Sequence, residues 1–287
     1  MKLKRKLVSK TSKGSAGPRD PADSLDIGKR IKPVAQISGD TNVVFYGRSG
    51  SGKTTLAASF PKPLLVIDCN DKGTDSIADI EGVFVLRAAS WQDIEDAYWY
   101  VAKGKKFKTV VIDTVSNIQE FAIREIKGQA DIGEKQPGEW GTMTKRDWGQ
   151  VSSMLKSLLL NFRDLDGVNA VFIAQDRVFH AEDEDLGTDD AQIMPEVGPR
   201  LMPSVASTIN AAVNVIGNTF VRERIREYKI GKQKRTKRIV EYCLRVGPHS
   251  YYTTKLRKPK GIDAPAFIKD PTYEKLVAAI AGKEWDE

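Results

Sequence analysis

The residues best suited to chemistry are Gly47-Arg48-Ser49-Gly50-Ser51-Gly52-Lys53-Thr54, followed by Thr55. They fit G-x-x-x-x-G-K-[ST] at every fixed position, between an apolar run and a helix-forming stretch. Glycines let backbone N–H groups wrap a phosphate without Cβ clashes, and the following helix start adds positive dipole. Lys53 would supply a fixed charge for the β/γ-phosphates. Thr54 would offer its hydroxyl to Mg²⁺, and Thr55 is in reach of the α-phosphate. The expected cofactors are therefore ATP and Mg²⁺.

Three further constellations stand out. Val110-Val111-Ile112-Asp113 is an apolar strand ending in a carboxylate, at the sheet edge where open α/β folds bind ligands. Asp113 reads as the second Mg²⁺ residue beside Thr54. Val171–Gln175 (VFIAQ) ends in an amide that could sense a γ-phosphate, against the plainer reading of a strand cap. Tyr251–Arg257 (YYTTKLR) puts Lys255 and Arg257 on one strand face. On residues alone, that pair is surface basicity at a strand end.

These motifs need a scaffold. Asn42–Tyr46, Leu64–Ile67, Val83–Leu86, Thr109–Ile112 and Val168–Ala174 read as strands. Between them, residues 91–103, a segment through Ile118, Phe121 and Ile126, and a segment through Trp148, Val151, Leu155, Leu158 and Phe162 have helical spacing. Strands alternating with helices imply a mostly parallel α/β sheet. Later, Ala211–Ile216 reads as a strand. Thr219–Ile230 and Arg238–Val246 read as a hairpin around GKQKRT. Tyr251–Lys255 reads as a last strand and Tyr273–Ala281 as a terminal helix. The fold expected is an α/β P-loop NTPase with a C-terminal antiparallel β-hairpin extension.

The chain has 287 residues and a net charge of +7. Residues 1–33 alone carry that excess and lack apolar periodicity, so they read as a disordered basic tail before one domain, 34–287. Residues 221–260 hold fourteen Lys/Arg against three Glu, whereas 182–196 hold seven acids and no base. Such segregation suggests a polyanionic partner, although solvated surface explains it equally well. Two cysteines exclude a disulfide scaffold, and two histidines argue against a histidine metal site. No run approaches ~20 apolar residues, so no membrane span is expected. The expected location is the cytoplasm.

In order, GRSGSGKTT, TVVIDT, WGQVSSMLKSLLLNF, VFIAQ and TKLR resemble the phage P-loop proteins with a core-only RecA-like ATPase domain. Some of that group are proposed single-strand annealing or recombination proteins. The resemblance covers roughly 40–280. It implies a ring or filament with ATP at subunit interfaces, single-stranded DNA as partner and, further, a single-strand DNA-binding protein. A phage chain would act in the bacterial host cytoplasm. Lys53 and Thr54 then bind phosphate and Mg²⁺, Asp113 is the Walker B aspartate and Gln175 the sensor. Lys255 and Arg257 resemble a K-x-R finger acting on a neighbour's nucleotide. RecA-like ATPases carry a water-activating Glu after the second strand. Here Asn70 falls at that position and Asp68 and Asp71 are the nearest carboxylates, which questions efficient hydrolysis.

The resemblance also implies two DNA loops. In 127–149, Trp140, Lys145 and Arg146 suit stacking on bases and tracking phosphates, whereas Trp148 reads as the start of a helix core face. The segment 176–199 is acidic and reads as a mobile or self-association loop. Two other functions compete. One is a nucleotide switch that loads another DNA-processing protein, favoured by the absent Glu. The other is a small-molecule kinase, disfavoured because no compact arginine lid is evident.

Overall fold

The computed structural model describes residues 31, 39–69, 73–128, 143–179, 196–230 and 233–284. Within Asp40–Glu287, the expected strands form, and their edges differ slightly from the sequence reading. They are β1 (Val43–Tyr46), β2 (Leu64–Asp68), β3 (Val83–Arg87), β4 (Thr109–Asp113) and β5 (Asn169–Ala174). Helices α1 (Lys53–Ala58), α2 (Trp91–Gly104), α3 (Val115–Lys127) and α4 (Lys145–Arg163) lie between them. A short antiparallel pair follows, β6 (Asp176–Phe179) with β7 (Glu196–Pro199). Then come α5 (Pro203–Ala212), β8 (Val215–Ile230), β9 (Gln233–Arg245), β10 (Lys255–Leu256), β11 (Phe267–Lys269) and α6 (Tyr273–Ala281).

The main sheet runs β11-β9-β8-β1-β5-β4-β2-β3, with β10 also paired to β8. From β8 to β3 all neighbours are parallel, and β9, β10 and β11 are antiparallel additions. Thus β1 sits between β5 and β8, and β5 separates it from β4. Both faces are covered, which explains why the central strands are continuous apolar runs. Val43 and Phe45 pack with Leu56 of α1 and Leu276 of α6. Val44 and Tyr46 face the opposite layer, with Ile94, Ile118, Leu155 and Ile209 from α2, α3, α4 and α5. Ser90 and Thr144 cap α2 and α4, each in a reciprocal box with the Asp three residues on.

Several sequence expectations need correction. Residues 211 and 212 end α5 and do not start a strand. Pro203 at the first turn suits a helix start, and the apolar run AAVNVI straddles the helix end and the next strand. One strand, β8, covers both the expected 211–216 strand from Val215 onward and the first hairpin strand. Hairpin pairing continues to Ile230↔Gln233, so most of GKQKRT is strand. The segment 251–255 is mostly irregular; Tyr252 makes one bridge to Val197, and only Lys255 and Leu256 pair with β8. Trp148 does not begin the core face of α4. It is 39% exposed, and the buried stripe starts at Val151.

Candidate nucleotide-binding site

The loop after β1 is positioned by close backbone packing. A Cβ on Gly47 would lie 2.3 Å from the Thr219 carbonyl oxygen on β8, so only glycine lets the loop leave here. Ser51 Oγ lies 2.7 Å from both the Arg48 carbonyl and Thr219 Oγ1, and Thr219 Oγ1 donates to the Tyr46 carbonyl at 3.2 Å. The cradle is thus braced from the β8 side. Gly52 has φ 85°, and a Cβ there would meet the Tyr242 ring at 3.2 Å.

Lys53 is buried, and its Nζ donates to the carbonyls of Gly47 and Arg48 at 2.8 Å each. Its ammonium is held inside the loop that would receive phosphate. Thr54 Oγ1 donates to Asp113 Oδ2 at 2.7 Å, which joins α1 to the end of β4. Asp113 is 3% exposed. A hydroxyl and a carboxylate oxygen side by side are the hard donors Mg²⁺ prefers, with the remaining positions left to phosphate and water. The residues present therefore fit that ion.

A cavity of about 620 Å³ opens over this loop, a size typical of small-molecule sites. Ser49 to Thr55 floor it, Asp113 closes one side, and Gly73 and Ser76 stand on another. Tyr242, Asp270 and Pro271 form the remaining wall. The sequence reading missed these three. Asp270 has φ 43°, and its N–H donates to the Tyr242 carbonyl at 2.7 Å, so β9 and the turn before α6 present one rim. Neither residue belongs to a motif, and only the sheet order brings them to the loop.

Asp68 pairs in register with Asp113 on the neighbouring strand and is 2% exposed. It does not line the cavity. Cys69 follows it; burial, then the Asp113 and Asp68 carboxylates, push its thiol far above the usual range. Asn70 and Asp71 lie outside the described residues.

Gln175 follows β5, whose Ala174 pairs with Tyr46 just before the phosphate loop, but it does not line the cavity. Its Oε1 accepts from Arg200 Nη1 at 2.9 Å, and its N–H donates to Ser116 Oγ at 3.2 Å. Ser116 Oγ donates in turn to the Arg200 carbonyl at 2.9 Å. The β5 end, the α3 start and the β7–α5 connection are therefore joined at one point.

Lys255 and Arg257 do converge, but on the end of α5. Lys255 Nζ donates to the carbonyls of Asn210 (2.6 Å) and Ala211 (3.0 Å), and Arg257 Nη2 donates to that of Ala211 at 2.7 Å. Burial, then the neighbouring Arg257, lower the Lys255 pKa. Within one subunit, the pair satisfies the last carbonyls of a helix.

Lys145 and Arg146 are exposed on the first turn of α4, with Trp148 beside them. The carbonyl of Arg163, at the other end of α4, accepts from Asn42 before β1 at 3.1 Å. The 19-residue helix spans about 28 Å, so its first turn lies toward the edge where the strands deliver Asp113 and Gln175. Trp140 lies outside the described residues.

No curated protein matches the chain. Among solved structures it is similar to the flagellar accessory protein FlaH from Methanocaldococcus jannaschii, at 9% identity and a TM-score of 0.34, covering 85% of this chain and 95% of that one. It is also similar to the RadB recombinase, at 14% identity and a TM-score of 0.33, covering 62% and 74%. Residues 40–257 match the family described as AAA domain, AAA_24. That stretch runs from just before β1 through β10 and holds the phosphate loop, Asp113 and Gln175. With the phosphate loop on a mostly parallel α/β sheet and a match over most of its length, the chain belongs to the AAA_24 family of AAA domains.

Proposed function

We propose that this protein is an ATPase whose nucleotide state governs its grip on single-stranded DNA during phage recombination, of the annealing or strand-exchange type. The observation that carries the nucleotide part is the Thr54–Asp113 contact beside Lys53, under a cavity long enough to continue to Tyr242. Ser49–Gly52 and Lys53 hold the phosphates, Thr54 and Asp113 hold Mg²⁺, and Tyr242 offers a flat face to the base. Bound Mg²⁺ supplies charge neutralisation of the β/γ-phosphates. Gln175 connects that end of the site to Arg200.

The DNA part is supported by Lys145, Arg146 and Trp148, exposed together on the first turn of α4. Cations with a free aromatic face suit a single strand, which is held by its phosphates and stacked on through its bases. Assembly into a ring or filament follows from the finger reading of Lys255 and Arg257. A single-strand DNA-binding protein is a natural further partner, and the bacterial host cytoplasm is the setting.

A second reading is a nucleotide switch that loads another DNA-processing protein. It is favoured by the acids on the cavity wall. Among the described lining residues these are Asp113, engaged by Thr54, and Asp270 on the far rim. Steady-state ATP hydrolysis, with and without a single-stranded oligonucleotide, separates the two. Turnover stimulated by DNA and lost in Lys53→Ala supports the ATPase. Tight ATP binding without turnover supports the switch.

A further inference from the structure

Residues 221–230 of β8 and 233–242 of β9 form strand pairs only with each other, so they form an arm beyond the core strands. Opposed residues of an antiparallel pair share a face. One face carries Val221 opposite Tyr242, Glu223 opposite Val240, and Ile225 opposite Arg238. Arg238 and Glu223 form an ion pair across it at 2.7 Å, and this face starts at the nucleotide cavity with Tyr242. The other face carries Arg222, Arg224 and Arg226 on β8, and Lys237 and Arg235 on β9.

At the root of that second face Glu241 is 5% exposed. Arg222 holds it at 2.5 Å, with Lys269 at 3.5 Å and Arg224 at 3.7 Å. Burial opposes the Glu241 charge, but the Arg222 hydrogen bond and the surrounding cations keep its carboxyl below the usual range. Outward from Glu241, no carboxylate pairs with Arg226, Arg235 or Lys237 among the described residues, and all three are exposed.

We propose that this face is a track for the phosphate backbone of single-stranded DNA, gripped without regard to sequence. The inference rests on the DNA-binding reading above and adds a second contact surface to it. Arg222, Arg224 and Arg226 recur every two strand residues, about 6.8 Å, close to the spacing of successive phosphates on an extended strand. Arg226 lies directly opposite Lys237, a like-charge pair that costs the free hairpin stability and that a polyanion relieves. Outward from Glu241 at its root, the acids are sorted away: Glu223 and Glu227 belong to the other face. A bilayer is a poorer fit, because an interfacial element seats a continuous apolar face among the lipids, whereas here the face with Val221, Val240 and Ile225 also carries Glu223, Glu227 and the Arg238–Glu223 ion pair.

The test uses the full chain, a fluorescent oligo(dT), a duplex of equal length, and phosphatidylserine-containing vesicles across a salt series. The variant R224E/R226E/K237E is compared with K103E/K106E/K108E, which makes the same charge change on exposed lysines at and beyond the end of α2. For the arm variant, oligo(dT) affinity falls at least tenfold and the log–log salt slope drops by about 2, near 0.7 per lost phosphate contact. The control moves far less, and ATP binding stays at the wild-type value in both. R224A/R226A, with no charge reversal, reports the same direction should the triple variant misfold. Equal losses in arm and control variants overturn the proposal. So does tighter binding of duplex than oligo(dT), or an arm variant that loses vesicle binding but keeps oligo(dT). A wild-type chain that binds no oligonucleotide defeats the DNA reading itself, and ATP binding then stands apart as its own measurement.

Discussion

Thr54 Oγ1 and Asp113 Oδ2 are 2.7 Å apart, although 59 residues separate them in the chain. The contact sets a hydroxyl from the phosphate loop against a carboxylate at the end of β4. Asp113→Asn keeps the shape and removes the charge. Hydrogen bonds to charged groups contribute about 1.5–3 kcal/mol, so ATP affinity in Mg²⁺ should fall roughly 10- to 100-fold. Affinity in EDTA should hardly change. Calorimetric titration with and without Mg²⁺ checks this, and equal losses under both conditions would reassign Asp113 to supporting the loop.

Tyr242 should report on the base rather than the phosphates. Base–aromatic stacking is worth ~1–3 kcal/mol, so Tyr242→Ala should weaken ATP while leaving inorganic tripolyphosphate unchanged. Tyr242→Phe should behave as wild type. If Ala weakens both ligands equally, the ring acts by packing on Gly52.

Gln175 and Arg200 should couple the nucleotide to the β6–β7 region. Gln175→Ala leaves Arg200 without its side-chain acceptor. The expected result is an unchanged ATP dissociation constant, with at least a tenfold loss of DNA-stimulated turnover. A variant whose turnover and DNA stimulation both match wild type would reduce Gln175 to a strand cap.

Arg257 separates two roles cleanly. Capping α5 contributes about 0.3–1 kcal/mol, so Arg257→Ala should lower the melting temperature by a few degrees at most. A finger acting on a neighbouring subunit contributes ~10³–10⁵ in rate, so turnover should nearly vanish while ATP binding persists. Mixing with Lys53→Ala subunits should then restore part of it. A small melting shift with wild-type turnover would leave only the helix role.

The site was legible to the extent that its residues are local. The phosphate loop is eight consecutive residues, and Asp113 ends an apolar run whose burial on both faces shows in VVI. Tyr242 and Asp270 were not legible, because β9 and the turn before α6 reach the loop only through β8 beside β1. Trp148 continues a helical stripe by spacing, yet it stands on the first turn, beyond the neighbouring elements that bury Val151. Periodicity gives the direction of a side chain but not where its neighbours stop. GKQKRT reads as a loop from its glycine and lysines, whereas residues 233–236 pair in register with β8.

The pairing of Val43 with Val215 also bears on how the chain is made. All four residues of β1 are buried, and one flank of that strand is covered only by a segment that emerges from the ribosome 172 residues later. Until then β1 is an open edge whose peptide groups on the β8 side are unpaired, the kind that recruits other chains. The phosphate loop is likewise unbraced until Thr219 arrives against Gly47. Nascent or prematurely terminated products ending before residue 215 therefore have no assembled nucleotide site and a sticky strand in its place. Competence to bind nucleotide therefore comes late in synthesis, after β8 has emerged.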